Sequence, residues 1–427
     1  MELALFGDVR ELWGEAFSKL RERTSLPMKI AADLVNEVKE RGLESVLDLT
    51  ERFDGIRLTK DEIYGAPRDY RVDGFVLEPY ERLYSCAVSL LDGKACSVDG
   101  FKTELEWIKE SAVSEPVKRV GIYVPGGRHP LPSSLLMGIA PAKAAGVEEF
   151  VVATPPRNSA LIEGLAAQLG VDEVLRAGGI QAIASLAYGL PEVDLEPVDM
   201  IVGPGNSYVT AAKAVISKDV RIDLLAGPSE VLILYDGSSP VEFVVMDMLA
   251  QAEHGPDSIS LALVTSKELA LKLREELSRY SGDERISSLR GRGGILYGDK
   301  RSLESFSDAF MPEHLEVMGD FDAGLAGAVF EGVGVVYGDY GYTGANHILP
   351  TGGTLMERPG LSPFSFFEGF SGIYVYRQSG TLEAQASIAE RVAKFARLEG
   401  LEYHARSAEI RGKIYKGPDA GPCNGVT

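Results

Sequence analysis

Cations, histidine, cysteine and long apolar runs are all scarce in this chain. Lysine and arginine number 43 against 63 aspartates and glutamates, a formal net charge of -20. That shortage excludes nucleic-acid binding, which needs basic patches to displace counterions. It also repels phosphate-bearing cofactors at long range, so any dinucleotide must be held locally by backbone amides and helix N-termini. No stretch approaches the roughly 18 apolar residues a membrane helix needs, which excludes such a span. The opening MELALFGDVRELW has an acid at its second residue and no long apolar run. The expectation is no signal peptide and a soluble, cytoplasmic protein. The three cysteines, Cys86, Cys96 and Cys423, fit no zinc-ribbon or CxxC spacing. They read most simply as buried or idle thiols in a reducing compartment. Nucleotide fingerprints are missing too: there is no Walker A pattern, and no GxGxxG follows a strand. A dinucleotide, if bound, is bound without the usual signature.

What is present is regular alternation. Residues 1–60 carry apolar positions at helical spacing, and residues 75–113 read as a further long amphipathic helix. From about 115 to 229, strand-like segments (VKRVGIYVPGG, EEFVVATPP, EVLRAGG, DMIVGPGN) alternate with helical ones (SSLLMGIAPAKAAGV, LIEGLAAQLG, IQAIASLAYGL, SYVTAAKAVISK). Such alternation predicts a parallel sheet covered on both faces. A second alternation occupies 230–360, with LEVMGD, AGAVFEG and VGVVYGD as late strands. After 380 the pattern is helical, and the tail after Lys413 is rich in glycine and proline. The fold class is therefore α/β: two doubly wound Rossmann-like domains with small helical N- and C-terminal appendages. The expected division is a helical segment 1–15, one domain from 16–122 with 230–360, a second from 123–229, and a C-terminal helical segment 361–427.

The five histidines are His129, His254, His314, His347 and His404. His129 has no motif around it and reads as a surface loop residue. Gln251 and His254 stand three apart on a predicted helix, one face of which would carry both; Glu253 falls on another face. Alone, such a pair is usually a solvated helix surface. Asp339 follows a predicted strand, where α/β folds place chemistry, or is simply a turn residue. His404 alone says nothing beyond a surface helix. Together, two imidazoles, one carboxylate and one amide oxygen suit zinc, but spacing does not assemble them. Glu313-His314 reads equally as the start of a helix or strand after Met311-Pro312. Gly203 and Gly205 read as a tight turn. Asn206 and Gln181 lie at turns into helices, Tyr123 in a buried strand, and Ser133 and Ser229 at positions suited to helix caps.

As an ordered set, the motifs are specific. GIYVPGG (121–127), PSSLLMGIAPAKAAGV (132–147), GGIQAIASLAYG (178–189), VGPGNSYVTAAK (202–213) and AGPSEVLILYD (226–236) are followed by DMLAQAEHGPDS (247–258), PEHLE (312–316), GDYGYTGANHILPTGGT (338–354) and EGLEYHA (399–405). Over nearly its whole length the chain resembles the histidinol dehydrogenase family. The resemblance implies oxidation of L-histidinol through the aldehyde to L-histidine with two NAD, the last step of histidine biosynthesis. It implies one Zn2+ per subunit on Gln251, His254, Asp339 and His404, with Glu313 and His314 carrying the proton transfers. It further implies that Ser133, Ser229, His347 and Glu399 join His314 and the metal residues in touching substrate. Tyr123, Gln181 and Asn206 would touch NAD. It implies a homodimer in which Glu399 and His404 reach the site from the partner subunit.

Two features depart from the family pattern. The loop from Asp339 to His347 is one residue longer, and Val335 stands where many members carry a glutamate near the substrate. A relative acting on another small polar alcohol, such as a sulfonated diol, is the alternative. A non-catalytic zinc-binding relative is disfavoured, since it would need neither Glu313-His314 nor Gln181 and Asn206.

Overall fold

The computed structural model describes residues 3–21, 26–98, 101–106, 115–126, 130–157, 159–356, 358–367, 373–378 and 381–416. His129, Cys423 and the tail from 417 lie outside the described residues. Among the described residues the strands form two sheets. One has nine strands, in the spatial order Leu5–Asp8, Gly293–Tyr297, Ile259–Val264, Glu230–Tyr235, His314–Met318, Ala328–Glu331, Ile373–Gln378, Phe101–Glu106 and Cys96–Val98. All pairs are parallel up to Ile373–Gln378; the last two strands are added antiparallel. The other has six: Tyr64–Gly65, Glu173–Leu175, Glu149–Ala153, Arg119–Tyr123, Met200–Val202 and Arg221–Ile222. Only Tyr64–Gly65 pairs antiparallel there. The central strands are continuous apolar runs (EVLILY, ISLALV) buried along their length, as sheets covered on both faces require.

Four expectations need correcting. The stretch 75–113 is not one helix: the helix Gly74–Leu91 stops, and Cys96–Val98 and Phe101–Glu106 form a hairpin on the sheet edge. VGVVYGD is not a strand either; Val335–Tyr337 is a 3-10 turn between glycines and pairs with no strand among the described residues. The expected boundary at 122–123 falls inside Arg119–Tyr123, a central strand of the six-stranded sheet. The helices Met28–Arg41 and Leu43–Asp54 also pack beside that sheet, on Gly179–Tyr188 and Ser207–Ile216. Leu5–Asp8, within the expected helical lead-in, is an edge strand of the nine-stranded sheet.

The cysteine expectation also changes. Cys86 and Cys96 form a disulfide with their Cα atoms 5.0 Å apart, because the chain turns back after Leu91 and lays Cys96 beside the helix it has just left. Gly344 packs on this bridge so closely that a Cβ there would fall on the Cys86 sulfur. The disulfide thus lies beneath the loop that runs from Asp339 to His347.

The C-terminal helices Leu382–Leu398 and Glu402–Lys416 pack on one another, and the second lies along Val241–Ala252. A fully buried ion cluster joins them. Arg411 donates through Nη1 to Asp247 (2.8 Å) and Ser407 (2.7 Å), and through Nη2 to Asp247 and to Glu316 (3.1 Å). Arg411, Asp247 and Glu316 are each 0% exposed. Burial, with Asp247 close by, holds the Glu316 carboxyl well above the usual range, and Asp247 is the nearer of the two acids to Arg411. A Cβ on Gly334 would strike the Arg411 guanidinium, so any larger residue there would have to displace it.

Candidate active site

His314 opens a central strand of the nine-stranded sheet. The chain arrives there from helix Lys300–Phe310 through Met311, whose φ of 47° is left-handed, a conformation costly for a side chain of this size. Arg21 stabilises the turn by donating to the Phe310 carbonyl and, at 2.5 Å, to Glu230. The His314 ring is buried, and its Nδ1 lies 3.0 Å from the Glu230 carbonyl oxygen. A carbonyl only accepts, so the proton sits on Nδ1 and the lone pair on Nε2. Nε2 is buried and has no partner among the described residues. Burial also holds the imidazole below its usual pKa, so at neutral pH it is an uncharged base.

Glu313 is held from the neighbouring strand. Its carboxyl accepts from the Ser229 hydroxyl at 2.8 Å and from the Glu230 amide at 2.7 Å. Burial pushes it well above the usual carboxylate range, against those hydrogen bonds. Glu230 is fixed in turn: it accepts from Arg21 and from the Gly352 amide at 2.9 Å. Arg21 and Glu230 were not foreseen as part of the site. Glu230 lies inside AGPSEVLILYD, but Arg21 lies some 200 residues away in no motif.

The expected metal residues converge from three places. Gln251 is in the last turn of Val241–Ala252, buried, its amide nitrogen without a partner among the described residues. The helix ends at Ala252, so His254 lies in the turn beyond it, exposed, not on the helix face the spacing suggested. Its ring centroid is 4.7 Å from that of His404. His404 is buried, with Nε2 3.3 Å from an Asp339 carboxylate oxygen and Nδ1 2.8 Å from Glu253. Burial opposes charge on both His404 and Asp339. Their mutual contact outweighs it, with Glu253 adding on the histidine, so His404 rises to about 10 and Asp339 falls to about 2. His347 donates from Nδ1 to the Asp339 carbonyl at 2.7 Å. Asp339 follows the 3-10 turn and not a strand.

Glu399 caps Leu382–Leu398 and accepts from the Ser133 amide at 3.0 Å, at the N-terminus of helix Pro132–Ala145. Ser133 is thus the second residue of that helix and not its cap. Burial raises the Glu399 carboxyl to about 7. One copy of the chain brings Glu399 and His404 to Ser133, Glu253 and Asp339, because the C-terminal helices fold back on Val241–Ala252. Tyr340, unforeseen, places a buried hydroxyl without a partner among the described residues, its ring 6.3 Å from that of His404.

The expected cofactor residues gather at one end of the six-stranded sheet. The Tyr123 hydroxyl accepts from the Gly179 amide at 3.2 Å, at the start of the helix carrying Gln181. The Gln181 side-chain oxygen is buried without a partner among the described residues. Gly203, at φ 119°, lies against the Tyr123 backbone where no Cβ fits. Asn206 caps helix Ser207–Ile216, accepting from the Tyr208 and Val209 amides at 3.0 and 3.1 Å, so its side-chain oxygen is already committed.

The donor set suits a divalent metal chemically: two imidazoles, a carboxylate held charged, and an amide free to turn its oxygen inward. As placed, however, no group of three or more His, Cys, Asp or Glu among the described residues stands in metal-holding geometry.

A sequence model of the family described as histidinol dehydrogenase matches residues 19–412. The histidinol dehydrogenase of Methanothermobacter thermautotrophicus is 37% identical over 407 residues, covering 89% of this chain and 92% of that one. That of Geobacillus kaustophilus is 36% identical over 405 residues, with the same 89% and 92% coverage. The crystal structure of histidinol dehydrogenase from Elizabethkingia anophelis aligns with a TM-score of 0.68 at 27% identity, over 98% of this chain and 100% of that one. No described helix is long and apolar enough to cross a membrane.

Proposed function

We propose that this chain, which belongs to the histidinol dehydrogenase family, oxidises L-histidinol through L-histidinaldehyde to L-histidine, reducing two NAD, as the last step of histidine biosynthesis. The observation that carries the reading is His314: a neutral imidazole with Nδ1–H committed to a carbonyl and 3.5 Å from a Glu313 carboxyl oxygen, and with Nε2 buried and unpartnered among the described residues. That is the state a general base needs before it takes a proton.

Zinc, held by Gln251, His254, Asp339 and His404, would supply fixed positive charge that anchors the substrate, and NAD would accept the hydride. The chain's own groups do the rest. His314 Nε2 takes the hydroxyl proton as hydride leaves the alcohol carbon. In the second oxidation His314 takes a proton from the water that adds to the aldehyde, and Glu313, held by Ser229 and the Glu230 amide, polarises that water. General-base assistance of this kind contributes roughly 10²–10⁴-fold. Ser133, Ser229, His347 and Glu399 orient the substrate.

We assign NAD to Tyr123, Gln181 and Asn206. Strand order supports two doubly wound units: counted from Arg119–Tyr123 and from Glu230–Tyr235, the parallel strands run 3-2-1-4-5 and 3-2-1-4-5-6. Tyr123 and Gly203 flank the reversal point of the first. A homodimer is retained from the family likeness, with its mass in solution as the check. The deciding experiment incubates the chain with NAD and L-histidinol, beside other amino alcohols and a sulfonated diol. Two NADH per histidinol, with about one zinc per subunit by metal analysis, is the expected result; turnover of only the diol, or of nothing, overturns the reading.

A further inference from the structure

The segment Gln251-Ala252-Glu253-His254 offers two of the proposed metal donors directly, and Glu253 between them reaches a third. Its Oε1 lies 2.8 Å from His404 Nδ1 and accepts from the His404 backbone amide, also at 2.8 Å. A single oxygen therefore fixes both the ring and the main chain of one residue. The Glu253 side chain is 3% exposed and that of His404 2%, so water does not compete for this contact. With Nδ1 turned to Glu253, the opposite nitrogen, Nε2, points at Asp339, 3.3 Å away.

We propose that Glu253 is a positioning residue for His404. Its carboxylate accepts from Nδ1 and fixes the ring orientation, so that Nε2 is the nitrogen turned to Asp339 and the one left for a metal that would displace its proton. The proposal rests on the zinc reading above. An imidazole that binds metal through one nitrogen and donates from the other to a carboxylate is both aimed and made more basic. Without Glu253 the ring can turn over, exchanging the nitrogen that faces Asp339. The same contact ties the turn after Val241–Ala252 to helix Glu402–Lys416. Donors more than 150 positions apart in the chain are thereby set relative to one another by one carboxylate.

The test is zinc affinity of Glu253→Gln and Glu253→Ala, measured by competition with a chelator on the full chain, with melting of the zinc-free forms alongside. Replacing such an outer carboxylate typically costs roughly 10–100-fold in affinity. The alanine variant is expected in that range and the glutamine variant, which keeps one acceptor, at a smaller loss. Zinc-free melting should move little for the glutamine variant. The cobalt-loaded protein gives a second readout, since a reoriented ligand shifts its visible absorption. Affinity and cobalt spectrum both unchanged in the glutamine and alanine variants would overturn the proposal. Should the alanine variant fail to fold, the near-isosteric glutamine variant decides alone. A parent chain that binds no zinc refutes the functional reading and this inference with it; a parent that binds zinc beside indifferent variants refutes only the inference.

Discussion

Replacing Arg411 by methionine tests whether the buried ion cluster holds the C-terminal helix in place. The substitution keeps a long apolar stem over the Phe243 ring, which the guanidinium carbon now covers at 4.6 Å. What it removes is the donor set: two contacts to Asp247, one to Ser407 and one to Glu316. Asp247 is then a 0% exposed carboxyl group with no guanidinium. Breaking a buried pair in this one-sided way costs about 3–5 kcal/mol. Glu316 loses its contact with the guanidinium as well, an effect of about 1–3 kcal/mol when a polar group is left unmatched. With a urea m-value of about 3 kcal/mol per M, the loss of the ion pair alone should lower the midpoint by roughly 1–1.7 M. The control is Arg411→Met with Asp247→Leu. Removing both charges together avoids the stranded carboxyl, and most of the lost stability should return. Urea unfolding followed by circular dichroism compares the three chains. A single variant within about 1 kcal/mol of the parent, or a double variant worse than the single, would refute the reasoning.

Further outcomes follow from the site. His314→Asn should leave zinc content intact and slow both oxidation steps by roughly 10²–10⁴-fold. Glu313→Gln should slow aldehyde oxidation more than alcohol oxidation, both read as NADH formation from each substrate. Since burial lowers the His314 pKa, the acid limb of kcat/KM should lie below the ordinary imidazole value of about 6.5. Glu399 gives a stability test. Its carboxyl rises from 4.5 to about 7 on folding, so between those values the folded chain keeps a proton that the unfolded chain has lost. Stability from this group is complete below pH 4.5 and declines as pH rises to about 7, by about 3 kcal/mol in all. Glu399→Gln should flatten that decline in urea midpoints measured from pH 5 to 7.5; an unchanged slope would count against it. Thiol titration in denaturant should find one free thiol among the three cysteines before reduction and three after. Reduction should lower stability by about 2–3 kcal/mol, the loop entropy for a separation of ten residues.

Much of the fold was legible because periodicity is local. The alternation through 115–229 and the amphipathic helices near both ends needed only windows of a dozen residues. The hairpin Cys96–Val98 and Phe101–Glu106 was missed because charged edge residues resemble a solvated helix face. Val335–Tyr337 misled in the other direction, since a β-branched run is strand-like only where a neighbouring strand has unpaired backbone. At the site, the motifs supplied residue identities and their order, while spacing supplied no contacts. His404 meets Asp339 and Glu253 across 65 and 151 positions, distances that no periodicity measures. Glu253 was set aside because an ideal helix would turn it from Gln251 and His254. The helix ends at Ala252, and that one residue of termination redirects it.

The proposed base does not stand on a loop. His314 is paired with Val231 on one side and Ala328 on the other, as the first rung of the central ladder. Side chains alternate along a strand, so its phase decides which of two adjacent residues faces the substrate. A slip of one position would put Leu315 where His314 stands and turn the imidazole to the opposite face. Amino-acid identity is therefore only half of what must be inherited. Chimaeras that exchange residues 311–318 between relatives should keep the base only when the flanking strands Glu230–Tyr235 and Ala328–Glu331 preserve the same count, whereas surface insertions between Ser278 and Glu284 leave that count untouched.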